Sequence, residues 1–300
     1  MKRRLGLMLA ALVVPLLLAC GVVSTTPRLA GLVGGGKVGI VRVEGSIVSG
    51  AGGGWAAGAQ AADRRVIADL EKADADGQIA AVVLYVNSPG GGVVASDEIY
   101  RAVTRMKKPV VAYAGEMAAS GGYYVACGAD LIVAHPASIT GSIGVISRVV
   151  LLQDLMDKLG VEFQTVKSGD VKDMGDPSRP LTEEERALLQ AIVDETYQSF
   201  VDVVVESRGI PREEVLAVAD GRLLSGAQAL RLGLVDQLGG MHEAVQAAAE
   251  LAGIRGEPQV VEIGRPPTVL ELFLSAVWQG NPLQALDLGQ GAGLEYRYEP

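Results

Sequence analysis

The sequence predicts an α/β protein in which a mainly parallel sheet is flanked by helices, and two observations lead to this fold class. The segment Ile79–Val86 reads I-A-A-V-V-L-Y-V, and such an uninterrupted apolar run is typical of a strand buried on both faces of a parallel sheet. Strand patterns also alternate with helical patterns along the chain, at a spacing that favours strand–helix–strand crossovers in a layered domain.

Local patterns define the individual elements. Short apolar runs bounded by Gly, Pro or polar residues predict strands, and apolar residues at helical spacing predict helices. The predicted strands are 38–43, 79–86, 110–114, 131–134, one beginning within 140–146, and 162–167. The predicted helices are 63–73, 96–106 capped by Ser96 or Asp97, a helix after Ser120, 150–159, 182–207 with a capping box at Thr182, 225–233 and 242–252.

The composition describes a folded, acidic protein. Its 300 residues are 49% hydrophobic and carry a net charge of −9, and no basic patch with interleaved aromatic residues is present, so nucleic acid is not an expected partner. The cysteines are Cys20 and Cys127, and the histidines are His135 and His242. We therefore expect no disulfide framework, no metal site and no cofactor, with Cys127 as a small core residue.

The N-terminus carries a targeting pattern. Lys2–Arg4 precede the uncharged apolar stretch Leu5–Val23, which predicts either an uncleaved membrane anchor or a lipoprotein signal in which Cys20 is lipidated. Basic residues before such a stretch favour a cytoplasmic start and an extracytoplasmic remainder. We therefore predict four regions: an anchor or signal at 1–23, a linker at 24–37, a main domain at 38–255 and a tail at 256–300 whose role the sequence does not reveal.

Ser120 is the candidate nucleophile. It lies in M-A-A-S-G-G-Y-Y-V-A, between a strand pattern and a segment that can be helical. A serine at such a turn has its hydroxyl near free backbone N–H groups, where the helix dipole favours developing negative charge. The alternative is that Ser120 only caps the helix, since serine is a preferred capping residue.

A second turn, Pro89–Gly92, follows the buried strand at 79–86. Acyl transfer needs N–H donors for the oxyanion, and Gly91 together with Gly121 could supply them. The alternative is a tight turn into the next helix. A dinucleotide site is disfavoured because G-x-G-x-x-G with a distal acidic residue is absent.

The general base is less evident. Neither His135 nor His242 lies in a recognisable triad context. A lysine can act as the base where an apolar cleft keeps its amine neutral, and Lys167 and Lys172 follow the predicted sheet. The residues alone leave this choice open.

Five motifs, which occur one after another along the chain, indicate the general base through resemblance to a known family. These are V-N-S-P-G-G-G, M-A-A-S-G-G-Y-Y, T-G-S-I-G-V-I, K-S-G-D-V-K-D-M-G-D-P-S-R-P-L-T-E-E-E and D-G-R-L-L-S-G-A-Q-A-L-R-L-G-L-V-D. Together they resemble the bacterial signal peptide peptidases of the SppA type, over about residues 37–251. The resemblance implies a Clp-protease/crotonase-like fold and a membrane-tethered serine endopeptidase that degrades cleaved signal peptides.

The resemblance also assigns roles to residues. The nucleophile of a Ser-Lys dyad falls on Ser120 and the general base on Lys172, while Ser142 corresponds to a serine that hydrogen-bonds the lysine. The glycine turn corresponds to the oxyanion loop. Short relatives imply a homo-octamer in which neighbouring subunits share each site. Cys20 is not part of the family pattern, so the mode of anchoring stays open.

Two alternatives remain from the sequence. One is a crotonase-type acyl-CoA enzyme of the same fold, against which the N-terminal targeting pattern argues. The other is a tethered scaffold or binding lipoprotein with an inactive site.

Overall fold

The structure is a computed structural model, and it describes residues 36–50 and 60–264. The strands are β1 Lys37–Glu44, β2 Ser46–Val48, β3 Gln60–Ala62, β4 Ile79–Ser88, β5 Val110–Ala119, β6 Leu131–Ala134, β7 Ile139–Gly141, β8 Leu223–Ser225, β9 Gln237–Leu238 and β10 Gln259–Glu262. The helices are α1 Asp63–Ala75, α2 Val93–Thr104, α3 Gly121–Ala126, α4 Gln153–Leu159, α5 Glu183–Arg208, α6 Arg212–Leu216, α7 Gly226–Arg231 and α8 Met241–Leu251.

The central sheet confirms the predicted fold class. Its strands run in the order β10-β1-β4-β5-β6-β9, and each neighbouring pair on this path is parallel. Strand β4 lies in the middle, which explains its continuous apolar sequence: Val82, Val83 and Leu84 are all fully buried. A separate two-stranded sheet joins β2 and β3.

Helices cover both faces of this sheet. Alanine and valine side chains of α8 pack against one face, on Val38, Val83 and Val111. On the other face, α1, α2, α3 and the C-terminal half of α5 pack around Val41, Leu84 and neighbouring residues. Cys127 is buried in this second core, as the sequence predicts, and burial raises the pKa of its thiol to about 11.

Strand β5 divides between two partners, and this division creates the site region. Its first half pairs with β6 through residues 111–114, whereas its last three residues pair with β7. Strand β7 in turn pairs antiparallel with β8. The carboxyl ends of β5 and β7 therefore lie side by side.

Several predicted boundaries are wrong. Helix α2 begins at Val93 with Gly92 as its N-cap, so Ser96 and Asp97 lie inside the helix; the Ser96 hydroxyl donates to the Gly92 carbonyl at 2.9 Å. No strand forms at 162–167, where the side chains are exposed to solvent. The strand expected within 140–146 is β7, which ends at Gly141.

The C-terminal boundary of the domain also differs from the prediction. The sequence predicts that the domain ends at residue 255, but β10 continues the sheet by pairing with β1. The pairing adds a parallel strand to an edge that would otherwise be open. The described part of residues 256–264 therefore belongs to the folded domain.

The N-terminal predictions lie outside the described residues. This applies to the anchor or signal at 1–23, to Cys20 and to nearly all of the linker. Within residues 36–50 and 60–264, no helix is both long enough and apolar enough to cross a membrane.

Candidate active site

Ser120 lies at the turn between β5 and α3, with backbone angles φ 51° and ψ −122°. Positive φ is uncommon for a residue other than glycine and is found preferentially at functional sites. Ser120 occupies the N-cap position, yet its side chain makes no capping hydrogen bond. The capping alternative therefore does not account for this serine. Ser120 as a residue is half-buried.

Ser142 occupies the corresponding position after the neighbouring strand. Ala119 and Gly141, the last residues of β5 and β7, are paired in the parallel register. Ser120 and Ser142 therefore directly follow the ends of two adjacent strands. Both have φ 51°, and no other non-glycine residue in the described part of the chain has a positive φ. Because parallel strands are about 4.8 Å apart, the two serines emerge next to each other.

Main-chain hydrogen bonds fix both turns. The Ser120 amide donates to the Gly141 carbonyl at 2.8 Å, and the Ser142 amide donates to the Arg222 carbonyl at 2.8 Å. The Ser120 carbonyl accepts from the Tyr124 amide at 2.9 Å, which begins the hydrogen bonding of α3. The strained conformation is thus determined by the strands on either side.

The glycine-rich turn after β4 packs directly against Ser120. Gly90 has φ 95°, and a methyl group built on it would lie 2.6 Å from the Gly121 nitrogen and 2.9 Å from the Ser120 Cβ. No larger residue fits there without movement of one of the two turns. This contact is the structural reason for a glycine at position 90.

Ile47 fixes this turn from the other side. Its amide donates to the Gly90 carbonyl at 2.9 Å, and its carbonyl accepts from the Gly92 amide at 2.9 Å. These two bonds form an isolated parallel bridge between Ile47 and Gly91. The amino-acid pattern does not reveal Ile47, because a three-residue strand carries too few residues to show a period.

The N–H groups of Gly91 and Gly121 are candidates for an oxyanion hole. Gly121 is the first residue of α3, and the first N–H groups of a helix have no partner within it. Neither amide donates a hydrogen bond to an acceptor in residues 36–50 or 60–264. A methyl group built on Gly121 would lie 3.2 Å from the Gly91 nitrogen. Two unused donors therefore lie close together beside Ser120.

The two candidate lysines differ in their surroundings. Lys167 Nζ donates to Asp173 Oδ1 at 2.7 Å and to the Asp170 carbonyl at 2.7 Å, so its amine is engaged. Lys172 lies in an exposed turn, and its side chain has no hydrogen bond or ion pair with any described residue. Within one chain, the structure does not bring Lys172 into contact with Ser120 or Ser142.

The histidines are not associated with the serines. His135 Nδ1 accepts from the Ala137 amide at 3.2 Å, and His242 is exposed in the first turn of α8. Neither forms a hydrogen bond to Ser120 or Ser142 within the described residues. A Ser-His arrangement is therefore not supported by the geometry.

A serine on a strained strand-to-helix turn, with unused glycine amides beside it, is the arrangement of a serine protease built on a parallel α/β sheet. The family model described as "Clp protease" matches residues 57–138, which include both turns. The chain belongs to peptidase family S49, whose model matches residues 102–255, about half of the chain. The predicted resemblance is thereby confirmed.

Individual relatives agree with this assignment. A Synechocystis protein named "Putative protease" is 41% identical over 229 residues, which cover 76% of this chain and 78% of that protein. A Methanocaldococcus jannaschii protein of the same description is 44% identical over 198 residues, or 65% of this chain and 62% of that protein. An Enterococcus faecium protein named "Putative signal peptide peptidase SppA" is 41% identical over 184 residues, 60% of this chain and 54% of that protein. The matched region thus spans less than two thirds of two of these relatives.

Proposed function

We propose that this protein is a membrane-tethered serine endopeptidase that degrades signal peptides after their release from precursors. Ser120 is the nucleophile, Lys172 the general base, and the Gly91 and Gly121 amides the oxyanion donors. One observation carries the proposal. Ser120 has a strained backbone, its side chain makes no capping hydrogen bond, and it lies beside two amides that have no acceptor in the described part of the chain. The tether rests on the apolar stretch Leu5–Val23.

The proposed reaction begins with attack by Ser120 Oγ on the scissile carbonyl carbon. The hydroxyl proton passes to the neutral amine of Lys172, and the carbonyl oxygen becomes an oxyanion that accepts from Gly91 and Gly121. When the C–N bond breaks, the lysine returns the proton to the leaving amine. Water then attacks the acyl-serine carbonyl while Lys172 takes its proton, and the lysine returns that proton to Ser120 Oγ as the ester C–O bond breaks and the acid product leaves. Ser142 would orient the lysine amine through a hydrogen bond.

We propose further that Lys172 reaches Ser120 from a neighbouring copy of the chain. Lys172 is exposed in a single chain and has no hydrogen bond to either serine, whereas a lysine base needs an apolar cleft. A second surface therefore has to cover it. In line with the resemblance, we propose a homo-octamer.

The segment that precedes Lys172, residues 146–166, supports this assembly. Between residues 146 and 166 it exposes large apolar side chains that cover no core, including Ile146, Phe163 and Val166, which are 80%, 60% and 100% exposed. Helix α4 within this segment has no buried residue. Large exposed apolar side chains gathered in one segment are expected where a protein surface binds another chain.

Fluorophosphonate labelling tests the nucleophile, because the probe reacts only with an activated serine. We expect the wild-type protein to be labelled, Ser120→Ala to be unlabelled and proteolytically inactive, and Ser199→Ala, which removes an exposed hydroxyl on α5, to behave as wild type. Equal labelling of wild type and Ser120→Ala would overturn the assignment. An unlabelled wild-type protein would favour the inactive scaffold.

Subunit mixing tests the shared site. Ser120→Ala and Lys172→Ala should each be inactive, and mixed oligomers should regain part of the activity because some sites then combine an intact serine with an intact lysine. Two wild-type preparations carrying different tags would establish that subunits exchange. No recovery under exchanging conditions would place both residues of the dyad in one chain.

A further inference from the structure

Within the described residues, Arg179 joins the turn that carries Lys172, residues 168–175, to the buried Glu185 of helix α5. Arg179 donates from Nε to Asp173 Oδ2 at 3.2 Å and from Nη2 to Asp173 Oδ1 at 2.6 Å. It also donates from Nη1 to Glu185 Oε2 at 2.8 Å and from Nη2 to Glu185 Oε1 at 2.6 Å. One guanidinium therefore binds both oxygens of two carboxylates. Such bidentate pairs fix the relative orientation of the groups as well as adding energy.

One end of this network is the neighbour of the proposed base. Asp173 follows Lys172 directly, and its carboxylate also accepts from Lys167. The turn itself is closed by weaker local bonds, such as Lys172 N to the Gly169 carbonyl at 3.2 Å. Asp173 is thus the side chain of this turn that binds outside it, within the described residues.

The other end lies on a fixed element. Glu185 is only 1% exposed, and it completes the capping box of α5 by accepting from the Thr182 amide at 2.9 Å. Helix α5 is anchored further along by Phe200 and Val201, both buried in the main core. A displacement of the Lys172 turn would therefore require breaking the bonds of Arg179.

Stability alone does not explain such a network. Removing a carboxylate from water carries a desolvation penalty that its ion pair often only offsets, so apolar residues in the same place would be about as stabilising. What a twice-bidentate arginine adds is a defined position and orientation. A catalytic base needs this, because a displacement of about 1 Å can lower a rate by about 100-fold.

We propose that Arg179, together with Asp173 and Glu185, is a positioning unit that fixes Lys172 for proton transfer from Ser120. The proposal rests on the proposed role of Lys172 as the base. Arg179 acts through the lysine and does not contact the reacting atoms.

Two variants break the unit at different points. Arg179→Gln removes both ion pairs. Asp173→Asn removes the ion pairs of this carboxylate with Arg179 and Lys167 and leaves the Arg179–Glu185 pair and the start of α5 intact, so it remains informative if Arg179→Gln folds poorly. We expect each variant to lower kcat by about 10- to 100-fold, with KM changed far less. Arg212→Gln is the matched control, because Arg212 joins α6 to Asp202 and Gln198 of α5 and has no bond to the Lys172 turn.

The pH profile of kcat/KM separates positioning from a merely structural role. A loosened turn admits water to the lysine amine, and water favours the charged form. The alkaline rise of activity should therefore move to higher pH in Arg179→Gln, where loss of a nearby cation acts in the same direction, whereas in Asp173→Asn the loss of a nearby negative charge opposes this shift. Partial unfolding would lower the whole profile without moving its midpoint. A reduced profile with an unchanged midpoint in Arg179→Gln, or activity of either variant equal to that of Arg212→Gln, would overturn the proposal.

Comparison with Lys172→Ala distinguishes failure of this inference from failure of the proposed function. If Lys172→Ala remains nearly as active as wild type, Lys172 is not the base and both proposals fall. If Lys172→Ala is inactive while Arg179→Gln and Asp173→Asn retain normal kcat, only the positioning unit is refuted.

Discussion

Replacing Gly90 with alanine tests whether the glycine turn belongs to the active site. The new methyl group would lie 2.6 Å from the Gly121 nitrogen, 2.9 Å from the Ser120 Cβ and 3.0 Å from the Ala119 carbonyl oxygen. Ordinary contacts between such atoms are about 3.5 Å, so the two turns must separate by roughly 0.5 to 1 Å. All three atoms belong to backbone or to the nucleophile itself, so no flexible side chain can yield.

The size of the effect follows from this displacement. Loss of one oxyanion donor lowers kcat by about 100- to 1000-fold, or about 3–4 kcal/mol of transition-state stabilisation. The left-handed φ of 95° adds a conformational cost for alanine of about 1–3 kcal/mol in folding. We therefore expect kcat/KM to fall by at least about 100-fold, while the folded protein persists with a lowered melting temperature.

The assay is peptide hydrolysis together with a thermal melt and fluorophosphonate labelling. Gly77→Ala is the matched control, because a methyl group built on Gly77 meets no atom within 4 Å, and we expect it to retain wild-type activity. A folded Gly90→Ala protein whose kcat/KM lies within about threefold of wild type would refute the assignment of this turn to the oxyanion hole.

Three further predictions follow from the same geometry. Lys172→Arg should be almost inactive at all pH values, since arginine stays protonated in proteins, and wild-type kcat/KM should rise with pH; near-normal activity of Lys172→Arg would exclude this lysine as base. The hydrogen bonds from Arg179 lower the pKa of Glu185 to about 2, whereas the pKa of a glutamate in the unfolded chain is about 4.3. The ionised Glu185 therefore stabilises the fold fully above about pH 4.3, and this stabilisation is lost as the pH falls towards 2. In urea titrations the midpoints of wild type and Glu185→Gln should therefore converge on going from pH 6 to about pH 2.5, and a constant difference would contradict the ion pair. Tyr123→Phe should lower the free energy of unfolding by about 1–2 kcal/mol, measured by the same titration, because the Tyr123 hydroxyl donates to the buried Leu234 carbonyl at 2.7 Å; no change would mean that this carbonyl has another partner.

Much of the fold could be predicted because its signals are local and strong. Strand β4 is a continuous apolar run, and α5 begins at a capping box that the structure contains. The start of α2 could not be predicted as readily, since its N-cap is Gly92 and its first residue is the β-branched Val93, a residue type of modest helix propensity.

The predicted strand at 162–167 fails for a different reason. Its apolar residues Phe163 and Val166 are exposed in the single chain, so they do not mark a face of the central sheet. A sequence pattern shows that a side chain favours burial, but it does not show which surface provides that burial.

The residues of the candidate site could be predicted from the sequence, but their backbone conformation and relative placement could not. Ser120 and Ser142 were identified from motifs, yet their common feature, a positive φ on adjacent strand ends, depends on pairing between β5 and β7 that no local pattern encodes. Likewise, Ile47 acts through its main chain, so its side-chain identity carries no signal. The base Lys172 stays a prediction, because a single chain does not bring it to Ser120.

Strand β10 has a consequence for how this protein behaves in solution. It occupies the outer side of β1 along residues 37–40, where main-chain N–H and C=O groups would otherwise be unpaired. A protein truncated after residue 255 would present that row of donors and acceptors to other molecules, and open sheet edges of this kind promote aggregation by strand addition. The sheet thus ends at the four-residue β10 in place of the eight-residue β1, and a shorter edge strand offers fewer unpaired main-chain groups for strand addition.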